Sequence, residues 1–333
     1  MRPSLTVGRV LSRLRSKRKP LNDGLMKKLT HSLINRGLAR VLPGVPASIA
    51  EEADRMQAPS PVLVSGQPVT AVVLASPHSG RFYPEAFVQE SRQPLTILRS
   101  GEDSYVEDLA ASAHALGPIL VHATFPRVFC DVNRAAWDLD PRMFETPAPP
   151  FVRATHRGLS GLGSVPRIVA DNRQIYRTRM PFMEAALRIR DYWMPYHVAL
   201  ANALNQTLAR HNITLLLDLH SMPDVPEAGN PDFVLGDAHG ASCASTLVQT
   251  AEESLQSMGF KTSRNIPYAG GYITQHYGRP REGLHALQIE MRRGLYMHEK
   301  TRDKHSGFFD LQHAISQMTE KLIAHMHSCE MTG

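Results

Sequence analysis

The most strongly patterned stretch of the chain is a short apolar run, Thr214–Met222, in which four leucines surround Asp218 and His220. A nearly continuous apolar run of this length is typical of a strand buried on both faces of a parallel sheet. Side chains alternate along a strand, so Asp218 and His220 are predicted to point to the same side. They lie at its C-terminal end, where open α/β sheets place their ligands. The pair fits either a functional site or a structural Asp–His hydrogen bond.

Similar patterns predict the other elements. Apolar runs favour strands at residues 71–75, 118–122, 127–132, 232–236 and 286–290. Apolar residues at helical spacing favour helices at 102–116, 174–211, 241–258 and 308–327, the second interrupted near Pro181 and Pro195. Two stretches rich in Pro or Gly, 137–165 and 267–283, are predicted to be long loops. Mixed strands and helices without an internal repeat predict a three-layer α/β/α domain with a central mixed sheet.

Composition narrows the class of protein. The chain has 333 residues and is 42% hydrophobic, which is enough for a sizeable core. Its three cysteines are odd in number and share no metal-type spacing, so we expect no disulfide framework. A reducing, cytoplasmic location is expected instead. No apolar run approaches the length that spans a bilayer.

The positive charge is concentrated at the N-terminus. Residues 1–40 hold 11 Lys and Arg and one acid, whereas the rest of the chain holds 26 basic and 30 acidic side chains. We therefore predict a basic, flexible extension at 1–40 and a single domain at 41–333. The extension fits a solvated tail, an arm for nucleic acid or acidic lipid, or a transit-like segment. Nucleic-acid binding by the main domain loses its support.

Three predicted strand ends carry chemistry-bearing side chains: His78, His220 and Glu290. A catalytic zinc takes three protein ligands from His, Asp or Glu and keeps one open position. Two histidines and one carboxylate would meet that requirement. A further carboxylate must then move a proton from water to the leaving amine, and Glu290 is the candidate. The alternative for Glu290 is a charged residue that merely ends a strand.

The pair Asn133 and Arg134 suits a substrate carboxylate, because a guanidinium matches a carboxylate with two parallel hydrogen bonds. Arg127, seven residues earlier, is a second possible clamp or could polarise a carbonyl. The alternative for Arg134 is a structural ion pair with Asp131 or Asp138.

Taken together, seven segments resemble the N-formylglutamate amidohydrolase family, which is related to zinc carboxypeptidases and to the aspartoacylase/succinylglutamate desuccinylase group. They occur in the family's order and cover roughly residues 71–300. The segments are Ser76-Pro-His-Ser-Gly80, Glu102-Asp-Ser-Tyr-Val-Glu-Asp-Leu109, Asp131-Val-Asn-Arg134, Leu217-Asp-Leu-His-Ser-Met-Pro223, Asp232-Phe-Val-Leu-Gly-Asp237, Pro267-Tyr-Ala-Gly-Gly-Tyr272 and Ala286-Leu-Gln-Ile-Glu-Met-Arg-Arg-Gly-Leu-Tyr-Met297.

The resemblance implies a phosphorylase/hydrolase-like (zinc-exopeptidase-like) fold and metal-dependent hydrolysis of N-formyl-L-glutamate to formate and glutamate, as in histidine catabolism. It implies zinc, or another divalent metal, on His78 and His220. Carboxypeptidase relatives supply the carboxylate ligand from an H-x-x-E motif, but Arg81 occupies that position here. We expect Asp103 to replace it, with Glu102 and Asp218 as rivals, and Asp218 more as a residue that orients a ligand. The resemblance also implies Asn133 and Arg134 as carboxylate binders and Glu290 as the general base.

Formylglutamate has two carboxylates, so a second cation is expected. Arg153, Arg157, Arg167 and Arg279 lie in or near the two long loops and are equivalent candidates. Two alternatives stay open: a carboxypeptidase-like or desuccinylase-like hydrolase acting on another substrate, and a non-catalytic binding protein on the same fold. The sequence leaves the oligomeric state open.

Overall fold

A seven-stranded mixed sheet runs through the described part of the chain, residues 59–332, in this computed structural model. Its strands are β1 Val62–Ser65, β2 Val72–Ser76, β3 Ile119–Ala123, β6 Thr214–Met222, β7 Phe233–Gly236, β8 Thr262–Arg264 and β9 Leu284–Arg292, while β4 Ile168–Val169 and β5 Arg173–Gln174 form a separate hairpin. The predicted basic extension at 1–40 lies outside the described residues, so it and the domain boundary at 41 stay predictions.

The strand order brings three C-terminal strand ends to one edge. The sheet runs β1-β3-β2-β6-β9-β7-β8, and β3, β2, β6 and β9 are parallel to one another. Strand β1 is antiparallel to β3, and β7 is antiparallel to β9. The register of β6 and β9 sets His220 directly opposite Glu290. The predicted mixed sheet is therefore confirmed.

Helices cover both faces of the sheet. The helices are α1 Glu85–Glu90, α2 Leu95–Leu98, α3 Val106–Leu109, α4 Ala111–His114, α5 His156–Leu159, α6 Phe182–Arg188, α7 Met194–His211, α8 Ser245–Ser257, α9 Tyr272–Tyr277 and α10 Gly307–Thr332, and a π-helical turn, Ile189–Trp193, joins α6 to α7. Helices α3, α4, α8 and α10 share an apolar core with Leu215, Leu217 and Leu219 of β6. Helices α7 and α9 contact the sheet as well, and Thr274 of α9 reaches Asp218 on the opposite face of β6. The three-layer prediction is confirmed.

Several local predictions were wrong. The helical region predicted from 174 begins only at Phe182, after the hairpin strand β5. The expected helix at 102–116 begins only at Val106, because Tyr105 adopts a left-handed conformation with φ of 67°, and it is divided at Ala110 into α3 and α4. Residues 127–132 form a turn and no strand: the amides of Phe129 and Cys130 both donate to the carbonyl of Pro126. The predicted loop at 267–283 contains α9.

No helix within residues 59–332 combines the length and the apolar character needed to cross a membrane.

Candidate active site

A buried group of two histidines and one carboxylate lies at the C-terminal edge of the parallel strands. It consists of His78, Asp103 and His220, and one ligand atom of each lies within 4.8 Å of the other two. Asp103 Oδ2 is 3.1 Å from His220 Nδ1 and 3.5 Å from His78 Nδ1. The group could therefore bind a metal ion, since its donors converge and imidazole and carboxylate are usual ligands of divalent metals.

Different elements bring these three side chains together. His220 belongs to β6, and His78 lies in the turn that follows β2. That turn packs tightly on the exit of β3: a Cβ atom at Gly80 would lie 2.2 Å from the carbonyl oxygen of Phe125, so a larger residue does not fit. Asp103 lies ahead of α3, and its amide donates to the carbonyl of His78 at 3.1 Å.

A carboxylate stands behind each histidine on the Nε2 side. His78 Nε2 is 2.8 Å from Asp131 Oδ1, and His220 Nε2 is 3.1 Å from Asp218 Oδ1. Both Nδ1 atoms are thereby left to face Asp103. The Nδ1 atom of His78 is buried and has no hydrogen-bond partner among the described residues. Buried polar atoms are rarely left unpaired, so this one fits a site that receives a cation.

The surrounding charges act strongly on these groups. Burial works to raise the pKa of Asp131, but Arg127 and then His78 hold it well below its usual range. Burial alone would lower the pKa of His220, but Asp218 and Asp103 raise it well above its ordinary value. Asp131 therefore stays ionised, and the carboxylates around His220 favour positive charge there, which a bound cation would also supply.

Glu290 faces the cluster from β9 and is 8% exposed. Its Oε1 accepts a hydrogen bond of 2.8 Å from Gln288 Nε2. Burial, assisted by the negative charge of Asp103, outweighs the attraction of His220 and raises the pKa of Glu290 to about 7. A carboxyl group with such a pKa can take up and release a proton near neutral pH.

The three predicted substrate-binding residues lie at the same edge, in different surroundings. Asn133 Nδ2 is 3.2 Å from His220 Nε2, and Asn133 Oδ1 accepts from the amide of Ile273 at the start of α9. Arg127 Nη2 donates to Asp131 Oδ2 at 2.9 Å. The guanidinium of Arg134 donates to the carbonyls of Leu162 and Asn133.

Within the described residues Arg134 forms no ion pair with Asp131 or Asp138, which was the alternative for this residue; Asp131 pairs with Arg127. Asp138 instead accepts hydrogen bonds from Thr155. Burial lowers the pKa of Arg134, the negative charge of Asp131 opposes this, and the positive charges of Arg127 and Arg157 lower it further. This guanidinium is therefore a largely buried cation with both acidic and basic neighbours.

The structure also separates Asp103 from its rivals. Glu102 accepts hydrogen bonds from Tyr83, Arg99 and Ser104 and forms no hydrogen bond or ion pair with His78 or His220. Asp218 lies behind His220, as expected for a residue that orients a ligand. Among the candidate second cations, Arg167 pairs with Asp140 and Arg279 with Glu282.

Sequence reasoning missed two residues at this site. Asp131 was considered only as a partner of Arg134, although it contacts His78. Arg293, just after β9, donates to Asp103 Oδ1 at 3.1 Å. The position of Asp131 two residues ahead of the Asn133-Arg134 pair was a usable signal, whereas Arg293 follows Glu290 in a turn whose direction only the tertiary structure reveals.

Comparison with known proteins agrees with this geometry. The sequence model of the N-formylglutamate amidohydrolase family matches residues 70–297. The N-formylglutamate deformylase of Pseudomonas aeruginosa is 31% identical over 239 residues, which is 69% of this chain and 83% of the relative. That of Pseudomonas putida is 28% identical over 240 residues, 68% of this chain and 82% of the relative.

Solved structures extend the comparison. An N-formylglutamate amidohydrolase from Ralstonia eutropha JMP134 is 35% identical in sequence, and its crystal structure matches this one with a TM-score of 0.76. The match covers 81% of this chain and 99% of that chain. A gene product from Agrobacterium tumefaciens, 15% identical with a TM-score of 0.61 over 81% of this chain and 97% of that one, shares the fold. With its family match over more than half of its length and a curated relative above 30% identity, the chain belongs to the N-formylglutamate amidohydrolase family, a family of C–N hydrolases.

Proposed function

We propose that this protein hydrolyses N-formyl-L-glutamate to formate and glutamate, with zinc held by His78, Asp103 and His220. The observation that carries the proposal is the buried cluster of these three residues, with Glu290 paired directly opposite His220 on the neighbouring strand β9. The deformylase relatives from two Pseudomonas species support the choice of substrate.

The donor set fits a divalent metal. The Nδ1 atoms of both histidines and Oδ2 of Asp103 converge, and the opposite nitrogen of each histidine faces a carboxylate. Carboxylates in that position fix the ring orientation and make the imidazole a stronger ligand. When bound, the metal would supply Lewis acidity, lowering the pKa of water and polarising the formyl carbonyl.

Glu290 is the proposed proton carrier. Its carboxylate accepts a proton as water attacks the formyl carbon, and then gives that proton to the amine nitrogen as the C–N bond breaks. Formate and the free amino group of glutamate are the products. Gln288 donates to Oε1 and so holds the carboxyl group in place for both transfers.

Arg134 and Asn133 are proposed to bind one substrate carboxylate, with Arg127 alongside. Arg127 also neutralises Asp131, so its second role is to orient His78 through that carboxylate. Among the loop arginines, Arg157 is proposed for the other substrate carboxylate, because its charge acts on Arg134.

Metal removal tests the proposal directly. Purified protein should release formate from N-formyl-L-glutamate, lose that activity after dialysis against a chelator, and regain it when zinc is added back. Metal-free protein that hydrolyses the substrate at the full rate would contradict the metal-dependent scheme. A substrate panel that varies the acyl group and the amino acid separates this reaction from a carboxypeptidase-like or desuccinylase-like one.

The Glu290→Gln variant tests the proton carrier. The amide cannot accept the proton, so we expect turnover to fall by about 10²–10⁴-fold while zinc is retained. Glu252→Gln is the matched control, because Glu252 of α8 pairs with Arg264 of β8 and has no part in the site. Near-normal turnover in Glu290→Gln would mean that another group carries the proton.

A place in histidine catabolism and a cytoplasmic location stay predictions from the sequence.

A further inference from the structure

Arg293 connects three segments around the metal-binding cluster. It lies in the short turn after β9, and its side chain is 14% exposed. Nη2 donates to Asp103 Oδ1 at 3.1 Å, Nε donates to Ser221 Oγ of β6 at 3.2 Å, and Nη1 donates to the carbonyl of Ser100 at 3.4 Å. The guanidinium therefore joins the end of β9, the end of β6 and the segment that carries Asp103.

The two oxygens of Asp103 have different neighbours. Oδ2 faces Nδ1 of both His78 and His220, whereas Oδ1 faces Arg293 and, at 3.4 Å, Ser221 Oγ. With Oδ1 held, the carboxylate cannot rotate about its Cβ–Cγ bond, and Oδ2 stays aimed at the point where the histidine nitrogens converge. Charged hydrogen bonds of this kind are among the stronger ones.

Asp103 depends on such support more than the histidines do. His220 lies in a fully buried central strand, and His78 follows another. Asp103 belongs to an irregular segment that ends at Tyr105, whose positive φ of 67° is uncommon for a bulky residue. The hydroxyl of Tyr296 donates to the carbonyl of Ser104 at 2.9 Å. The turn after β9 thus anchors this segment at two points, through Arg293 and Tyr296.

We propose that Arg293 is a positioning residue that sets the metal affinity of the site by fixing Asp103, and that it does not bind the substrate. The inference rests on the proposed function in one respect, which is that Asp103 serves as a metal ligand. A lysine at this position would keep the charge but lose the planar fork that reaches Asp103, Ser221 and Ser100 together.

The experiment compares Arg293→Gln and Arg293→Lys with Arg292→Gln. Arg292 is the matched control because its guanidinium pairs with Asp232 and Asp224, away from the cluster. Zinc dissociation constants are measured by competition with a chromogenic chelator, and kcat and KM for N-formyl-L-glutamate are measured at saturating zinc. We expect Arg293→Gln to weaken zinc binding by about 10–100-fold with KM unchanged, Arg293→Lys to restore part of the affinity, and Arg292→Gln to bind zinc like the wild type.

Wild-type zinc affinity in both Arg293 variants would overturn the inference, and so would a raised KM with unchanged zinc affinity, since that pattern belongs to a substrate-binding residue. If Arg293→Gln does not fold, Ser221→Ala tests the same support, because it removes the hydroxyl next to Asp103 Oδ1 with little change in volume. We expect Ser221→Ala to weaken zinc binding by a smaller factor than Arg293→Gln. Wild-type zinc affinity in Ser221→Ala would count against the inference. If the wild-type protein binds no zinc, the metal role in the proposed function fails instead, which the same titration shows separately.

Discussion

Each predicted metal-binding histidine has a carboxylate next to its Nε2 atom, and the two carboxylates are supported differently. Asp131 receives hydrogen bonds from Arg127 and from the amide of Asn133, whereas Asp218 lies on β6 with Thr274 nearby. Because Asp131 is acceptor-only, it requires the proton of His78 on Nε2 and leaves Nδ1 with a free lone pair. One residue thus decides which face of the imidazole can bind a cation.

The Asp131→Asn variant tests this orientation. An amide can either accept from or donate to Nε2, and it no longer neutralises Arg127, so the correct tautomer loses its preference. We expect zinc affinity to fall by about 10–100-fold with the fold intact, measured by chelator competition and circular dichroism. Asp140→Asn, which removes a buried carboxylate paired with Arg142 and Arg167, is the control. Unchanged zinc binding in Asp131→Asn would contradict the role given to this carboxylate.

At the scale of elements, strands with long apolar runs were predictable and irregular segments were not. The leucines of β6 and the runs of β2 and β9 leave few alternatives to buried strands, and their ends carried the predicted histidines and Glu290. The edge strand β1 was missed because its short, largely exposed sequence has no such pattern. The segment before α3 was predicted as helix because it leads directly into apolar residues at helical spacing that begin at Val106, whereas the hydrogen bonds that hold Asp103 and Ser104 come from Arg293 and Tyr296, far away in the chain.

Strand β6 has two faces with separate roles. Leu215, Leu217 and Leu219 pack under α3, α8 and α10, whereas Asp218 and His220 face the site. Leu217→Ala should therefore lower the free energy of unfolding by about 2–5 kcal/mol without changing zinc affinity. Urea denaturation and the same zinc titration measure the two quantities. A large loss of zinc binding in a variant that remains folded would show that the two faces are coupled.

At the scale of the whole molecule, the sheet order is what assembles the site. The parallel arrangement of β2, β6 and β9 places their C-terminal ends side by side, so residues more than 200 positions apart in the chain meet at one edge. The ends of strands could be predicted from the sequence, but the order of strands could not, since an apolar run indicates a buried strand without indicating which strands lie beside it. Loop packing decided the rest: Gly271 approaches Asn133 so closely that a Cβ atom would lie 2.4 Å from its Nδ2.

The same packing makes the domain sensitive to acid through His197. This buried histidine of α7 donates from Nε2 to the carbonyl of Val132 at 2.8 Å, and its Nδ1 is 2.9 Å from the hydroxyl of Tyr277. Burial lowers the pKa of His197 to about 3. The hydrogen bond to Val132 acts to raise this pKa, and the charge of nearby His276 acts to lower it. The unfolded chain, with an ordinary histidine, therefore binds more protons between about pH 6.5 and pH 3. Neutral His197 therefore makes its full contribution to the free energy of unfolding above that window. The contribution decreases as the pH drops through the window, by about 3 kcal/mol at pH 4.

The His197→Gln variant removes the titrating group while keeping a side chain that can bond to Val132. We expect it to be less stable than the wild type at pH 7 by about 1–2 kcal/mol, because one buried hydrogen bond is lost or weakened. Its stability should then decline less steeply between pH 6.5 and pH 4. Urea denaturation of metal-free protein across this pH range measures the two slopes without interference from metal release. Equal slopes in the two proteins would mean that His197 is not the group through which acid weakens the packing of α7 against the Asp131–Asn133 loop.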